Sequence, residues 1–263
     1  MHAPVLHAPR AVAADTSLIA SWLPLPGLGL IPCNSFVIRS AQPVLVDTGV
    51  AGLRGDFLAA LGEAVDPADL RWIWIPHMDA DHIGNLAAVL ELAPKARVVT
   101  NYLGMGKMGL LGLPQDRAYL LNPGQALDVG DRKLRALRPP SWDAPETTAL
   151  FDERTRAFFC VDAFGAIHQE PSESAAAIPA GSLAEGMALW TSVDQHWLGR
   201  VDRSKFDRAL GEVDALRPDV ILGSHLPPAS GITQRLLRSL RDSADVPAFV
   251  GPDQAALEAM MSA

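Results

Sequence analysis

Apolar residues in the first half of the chain fall in short runs separated by polar or helical connections. Residues 36–39 and 44–46 predict a β-hairpin with 40–43 as its turn, and Asp47-Thr48-Gly49 ends the second strand. Residues 53–64 place apolar side chains at helical spacing. Residues 71–75 read as a strand in which Trp72 and Trp74 alternate, stopped by Pro76; 84–92 predicts a helix and 97–100 another strand. In the second half, 133–137 and 157–161 predict strands, 182–198 and 203–216 helices, 219–222 a buried strand, and 232–242 a C-terminal helix. Strands and helices alternate without a repeat and without a linker rich in Pro, Gly and Ser. This predicts one layered α/β domain of αββα type over residues 1–263, with 1–15 as a mobile tail that carries His2 and His7. Residues 166–186 are the most loop-like stretch and predict a lid or an excursion near a site.

Composition narrows the function classes. Hydrophobic residues make up 49% and charged residues 20% of the 263, which fits a folded globular chain. Acidic residues outnumber basic ones, 30 to 22, for a net charge of −8, so nucleic-acid backbone is not the expected partner. Two cysteines, Cys33 and Cys160, make no disulfide framework and suit a reducing compartment. Residues 1–16 lack the apolar stretch of a secretion signal, and no run of about 18 apolar residues predicts a membrane span, so the expected location is cytoplasmic.

The candidate chemistry is concentrated in Pro76-His77-Met78-Asp79-Ala80-Asp81-His82, directly after the Trp72/Trp74 strand. The carboxyl ends of strands are where open α/β sheets place ligands. Four potential metal ligands in six residues would be costly to bury without a cation. The simpler reading is a solvated acidic turn in which Asp81 caps the next helix. Elsewhere, Gly104-Met105-Gly106-Lys107-Met108-Gly109 matches G-x-G-x-x-G, but Gly112 and Pro114 leave no room for the helix a dinucleotide site needs. A flexible pocket wall with Met105 and Met108 as apolar lining is the expectation there. Trp190 and Trp197 could line a pocket over a metal site, but their helical spacing favours core packing, and Cys160, two residues before Asp162, predicts a buried thiol on the same face as that carboxylate. No G-x-S-x-G elbow is present for a serine hydrolase.

The 76–82 segment resembles the His-x-His-x-Asp-His signature of the metallo-β-lactamase superfamily, and further landmarks follow in order. Val44 to Gly49 is similar to the superfamily's early strand with Asp-Thr-Gly. Asp143-Ala144-Pro145 falls where a His and a Pro-containing turn are usual, Asp162 where a bridging Asp ends a strand, and Gly223-Ser224-His225 where the last His ligand follows a buried strand. The resemblance covers roughly residues 30–240 and implies the αββα four-layer sandwich. Asp79 replaces the second His of the signature, and Asp143 the third, with Ser141 as the competing neighbour and a poorer ligand. Within the superfamily the ligand pattern is most similar to the flavodiiron branch, which also carries a carboxylate at the second position and an Asp-Ala-Phe-Gly run, here Asp162 to Gly165. That branch keeps a His near position 143, and the resemblance does not extend to its flavodoxin domain.

The resemblance implies that His77, Asp79 and Asp143 hold one metal ion and Asp81, His82 and His225 a second, with Asp162 between them. Asp81 and Asp162 would act in catalysis, and Asp47, His168 and His196 would support the ligands from behind. Three imidazoles and four carboxylates form a hard, anionic set that suits two divalent Fe or Mn ions better than Zn. A pair about 3.5–4 Å apart can activate water or bind a small oxidant. The expected function is a diiron-type oxidoreductase acting on dioxygen, nitric oxide or a small oxidisable substrate, fed by an external electron-donor protein. A metal-dependent hydrolase of an ester, thioester, lactone or phosphoester is the alternative, and a non-catalytic metal-dependent sensor the third. A small-molecule substrate is expected and a homodimer left open; neither nucleic acid nor membrane is an expected partner.

Overall fold

Alternate residues of the central strands go to different cores, which gives the architecture. The computed structural model describes residues 3–262, so His2 lies outside the described residues. Strands β1 (Val5–Leu6), β2 (Arg10–Ala13), β3 (Thr16–Leu25), β4 (Gly29–Ile38), β5 (Val44–Val46), β6 (Trp72–Trp74), β7 (Arg97–Thr100) and β8 (Ala118–Leu120) form one sheet. In it β3, β4 and β5 run antiparallel, and β5 to β8 run parallel. The helices α1 (Arg54–Ala64), α2 (Ala80–Ile83), α3 (Leu86–Leu92) and α4 (Tyr102–Leu110) lie on its connections. A second sheet follows, ordered β14-β13-β12-β11-β10-β9, from β9 (Ala126–Asp128), β10 (Lys133–Leu137), β11 (Ala149–Asp152), β12 (Ala157–Val161), β13 (Val220–Gly223) and β14 (Leu226–Ser230). Only β12 and β13 are parallel in it. The helices α5 (Ala180–Asp194), α6 (Arg203–Leu216) and α7 (Thr233–Ser243) belong to this half, and α8 (Gln254–Ser262) follows.

Side chains two apart in a strand share a face. Phe36, Val44, Val46, Trp74 and Val99 of the first sheet meet Leu134, Leu150, Phe159, Val220 and Leu222 of the second in a core between the sheets. Phe36 and Phe159 pack there edge to face, with ring centroids 5.3 Å apart. The intervening residues Val37, Leu45, Ile73 and Val98 face a core with Phe57, Leu61, Leu86 and Met108 on the outer side. On the far side, Phe158, Cys160 and Ile221 face Leu183, Met187, Phe206 and Leu240. Helix, sheet, sheet, helix is the expected four-layer sandwich.

Several expectations change. The predicted 1–15 tail is not free over its described residues 3–15, because β1 and β2 pair with β3 and the amide of His7 donates to the Ala20 carbonyl at 2.8 Å. The hairpin predicted at 36–46 is present as the pairing of β4 with β5, but β4 starts earlier, at Gly29, and also pairs with β3 over its whole length. Residues 166–168 are tied by backbone hydrogen bonds to His225, Gly186 and Leu30, and α5 begins at Ala180, so the 166–186 stretch is a strap and a helix start rather than a lid. The helix predicted over 182–198 ends at Asp194, because Gln195 turns inward as a fully buried residue. The glycine run lies inside α4, where a Cβ on Gly104 would come within 2.0 Å of the Thr100 hydroxyl. Gly104 and Gly109 therefore serve close packing, Gly106 faces open space, and Met108 is core rather than pocket lining.

Gly84, between α2 and α3, makes the tightest approach to backbone. Its amide donates to the Gly49 carbonyl at 2.9 Å, and a Cβ there would lie 2.3 Å from the Ala51 nitrogen. Backbone cannot yield as a flexible side chain would. Gly84→Ala is expected to lower stability by about 1–3 kcal/mol, read as a lower urea midpoint at unchanged slope.

Candidate metal centre

Four strand ends bring the ionisable groups together. Asp47 follows β5, residues 76–82 follow β6, Asp162 follows β12, and Ser224 and His225 join β13 to β14. The loop of residues 138–148 between β10 and β11 adds Asp143. Backbone conformation aims several of these. Asp47, Val161 and Phe164 sit in the left-handed region at φ 62°, 60° and 65°. Such backbone is costly for residues with a Cβ and recurs at functional sites. Val161 also breaks the strand alternation, so Cys160 is buried in the helix-side core while Asp162 turns to the histidines. The expectation that Cys160 and Asp162 share a face is thus corrected; that Cys160 is a buried thiol is met.

Asp162 is the centre of the arrangement. Its Oδ1 lies 3.2 Å from Nε2 of His82 and 3.2 Å from Nε2 of His225, whereas Oδ2 lies 3.3 Å from Nε2 of His77. One carboxylate therefore presents one oxygen to each of two donor groups. On the Oδ1 side, Asp81 Oδ2 lies 3.2 Å from His225 Nε2 and 3.6 Å from His82 Nε2. On the Oδ2 side, Asp143 Oδ1 lies 3.8 Å from His77 Nε2. One donor atom each of His77, Asp79 and Asp143 falls within 4.8 Å of the others. Asp79 occupies the N-cap position of α2 but makes no side-chain capping bond, and Asp81 is already inside the helix, so neither caps as the simpler reading required.

The imidazoles are held from behind. Asp47 Oδ1 lies 3.0 Å from Nδ1 of His82 and its Oδ2 accepts from the Ser224 hydroxyl at 2.8 Å. Nδ1 of His225 donates to the Pro32 carbonyl at 2.9 Å. Each contact leaves Nε2 as the atom turned to Asp162. His168, expected in support, instead packs edge-on against Trp22 at 5.5 Å and joins none of the converging donor groups found among the described residues; burial lowers it to about 4. His196 is exposed on a 3-10 turn and joins none of them either.

Electrostatics follow from burial and this clustering. Burial opposes charge on His82, but Asp47, Asp162 and Asp81 outweigh it and raise its pKa well above the usual value. His225 is raised in the same way, by Asp162 and Asp81 above all. Burial would raise Asp162, yet the facing histidines hold it well below the carboxylate range. Asp143 is raised by burial and by the Asp162 charge. A metal ion fits this set on two observations. Both ring nitrogens of His77 and Oδ1 of Asp162 are buried without a hydrogen-bond partner, and such groups call for an explanation such as an ion. The donors are also those of hard divalent cations.

The site draws in residues beyond the expected ligands, and of these only Trp190 was weighed from the sequence. Trp190 is not merely core, since its ring lies 4.8 Å from that of His225 and its Nε1 donates to the Asp162 carbonyl at 3.1 Å. Gln195 reaches the same carbonyl at 3.4 Å. Burial, with the charges of Asp162 and Asp143, pushes Asp194 up to about 8. Cys33 of β4 lies against His225. None of these carries a local motif; only the pairing of β4 with the strands around it and the end of α5 bring them in.

Comparison with known proteins bears on the family and the fold. Residues 31–225 match the family described as ODP family beta lactamase. Putative diflavin flavoprotein A 1 of Thermosynechococcus vestitus is 33% identical over 135 residues, 51% of this chain and 24% of that protein. Type A flavoprotein fprA of Rhodobacter capsulatus is 29% identical over 144 residues, 50% of this chain and 31% of that one. The chain therefore matches about a quarter to a third of these relatives' lengths. Among solved structures, rubredoxin oxygen:oxidoreductase of Desulfovibrio gigas superposes at a TM-score of 0.79 with 17% identity, over 90% of this chain and 61% of that one. The Flv1 flavodiiron core of Synechocystis gives 0.78 with 19% identity, over 92% and 62%. The fold is that of the metallo-β-lactamase-like core of flavodiiron proteins.

Asp47 tests the arrangement without touching a donor. Asp47→Asn keeps the shape but removes the charge behind His82. It is expected to weaken Mn(II) binding by about 10–100-fold, measured by titration, with the far-ultraviolet circular dichroism unchanged.

Proposed function

The chain belongs to the ODP beta-lactamase family, and from that membership and the two-sided Asp162 carboxylate we propose a diiron oxidoreductase acting on dioxygen or nitric oxide. His77, Asp79 and Asp143 would hold one ion, Asp81, His82 and His225 the other, and Asp162 would lie between them. The observation that carries the reading is the split of Asp162, with Oδ1 and Oδ2 facing separate imidazole sets at 3.2 and 3.3 Å. Two iron ions held there would supply one-electron steps to a small oxidant.

The chain's own groups do the rest. Asp47 and the Pro32 carbonyl fix the tautomers of His82 and His225, and the indole of Trp190 excludes water on the His225 side. Asp194, raised to about 8, keeps a proton on its carboxyl at neutral pH within the field of Asp162 and Asp143. The carboxylate-rich set stabilises a higher oxidation state and lowers the acidity available to a bound water, which favours redox chemistry over hydrolysis. Electrons would come from a donor protein, as the names of the flavin-containing relatives suggest by analogy.

The test is anaerobic loading with Fe(II), then exposure to dioxygen or nitric oxide with a chemical reductant. Iron-dependent consumption is expected, two ions per chain, and loss of both consumption and one or more ions in Asp162→Ala. Turnover of esters or lactones by the zinc form, with no consumption by the iron form, would instead make the protein a hydrolase. Binding should also follow pH. Because the pKa values of His82 and His225 are raised, both rings carry protons at neutral pH that a cation at Nε2 must displace. Apparent Mn(II) affinity is therefore expected to rise with pH through neutrality until the raised values are passed, with proton release seen by calorimetry in buffers of different ionisation enthalpy.

A further inference from the structure

Cys33 is a donor that the carboxylate and imidazole set does not use. It lies in β4, opposite Ser21 of β3, is 5% exposed, and sits on the side of the site where His225 and Asp81 meet. Its Sγ is 3.9 Å from Nδ1 of His225, and one donor atom each of Cys33, Asp81 and His225 falls within 4.8 Å of the others. Nδ1 is committed to the Pro32 carbonyl, so Nε2 remains the coordinating atom of His225.

We propose that Cys33 is a thiolate ligand to the ion held by Asp81, His82 and His225, which makes that half of the pair selective for thiophilic divalent ions. This rests on the dinuclear reading above and adds a consequence to it. The His77 half offers one imidazole and three carboxylates, Asp162 included, and no sulfur among the described residues, so it suits a hard ion. The His225 half offers two imidazoles, two carboxylates and a soft sulfur. A bound metal takes a coordinating thiol in its deprotonated form, so the Cys33 S–H proton passes to solvent as the metal–sulfur bond forms. The two ions of a mixed pair would then sort by softness.

Cobalt(II) reports on this directly, because a cobalt–thiolate bond adds an intense near-ultraviolet charge-transfer band that imidazole and carboxylate do not give. The full chain is titrated with Co(II) under anaerobic conditions as wild type, Cys33→Ser and Cys160→Ala. The expected result is a band that appears with one of the two cobalt ions in wild type and in Cys160→Ala, and is lost in Cys33→Ser, with that ion bound at least ~10-fold more weakly, the smaller effect of removing even a supporting group. Two cobalt ions bound to wild type without the band, or a band that persists in Cys33→Ser, overturns the assignment of Cys33 and leaves the dinuclear site standing. No cobalt bound to wild type overturns both. Competition of Cd(II) with Mn(II) for Cys33→Ser supplies a second readout: loss of the Cd(II) preference at one ion supports the assignment, and an unchanged preference contradicts it.

Discussion

The carboxylate of Asp162 must be buried, charged and shared, and much of the structure follows from that. A buried anion is costly unless it is paired and hydrogen-bonded. Three imidazoles do the pairing, and they come from two different sheets, so neither sheet completes the site alone. The donors arrive from the carboxyl ends of β5, β6, β12 and β13, which the sandwich places at a common edge. The left-handed backbone at Asp47 and Val161 is the local cost of ending strands there and turning their next side chains to one point.

The same bonds that orient the histidines join the two halves. The Ser224 hydroxyl donates to Asp47, and Nδ1 of His225 donates to Pro32. The side-chain amide of Asn34 donates to the carbonyls of Gly223 and Leu226 at 2.9 and 2.8 Å, and its backbone amide to that of Ser224 at 2.9 Å. Asn34 is 3% exposed, so these bonds form away from water, where an unmade partner is costly. Sheet docking and ligand aiming are thus one event, and the apolar core between the sheets does not have to fix the side-chain geometry by packing alone.

The parts legible in the sequence were those with a period or a spacing. Trp72, Ile73 and Trp74 showed a strand by alternation and face alternate cores. The 76–82 segment showed four donors because they are close in sequence. Asp143 could be placed only by the Pro-containing turn beside it, and the structure does bring it to His77. What stayed hidden depends on tertiary pairing. Residues 5–13 carry no strong pattern because edge strands are short and half-exposed, and the break at Gln195 comes from an inward hydrogen bond that no helical period contains. His168 looked like a candidate because histidine is a common ligand; its seat edge-on against Trp22 is a property of β3, far off in sequence.

The loop over residues 138–148 stands apart from the other contributors. It brings one donor, Asp143, and its own attachments lie elsewhere. Asn101 donates to the Glu146 carbonyl at 2.7 Å, Lys107 of α4 pairs with the Glu146 carboxylate at 2.5 Å, and Arg138 holds the Pro145 and Thr147 carbonyls. Those anchors do not involve residue 143. The donor at that position can therefore be exchanged, anion for imidazole, while the loop keeps its seat and the strands keep theirs. The fold behaves here as a socket with one replaceable pin, and the charge presented on the His77 side can change without any change in the sandwich around it.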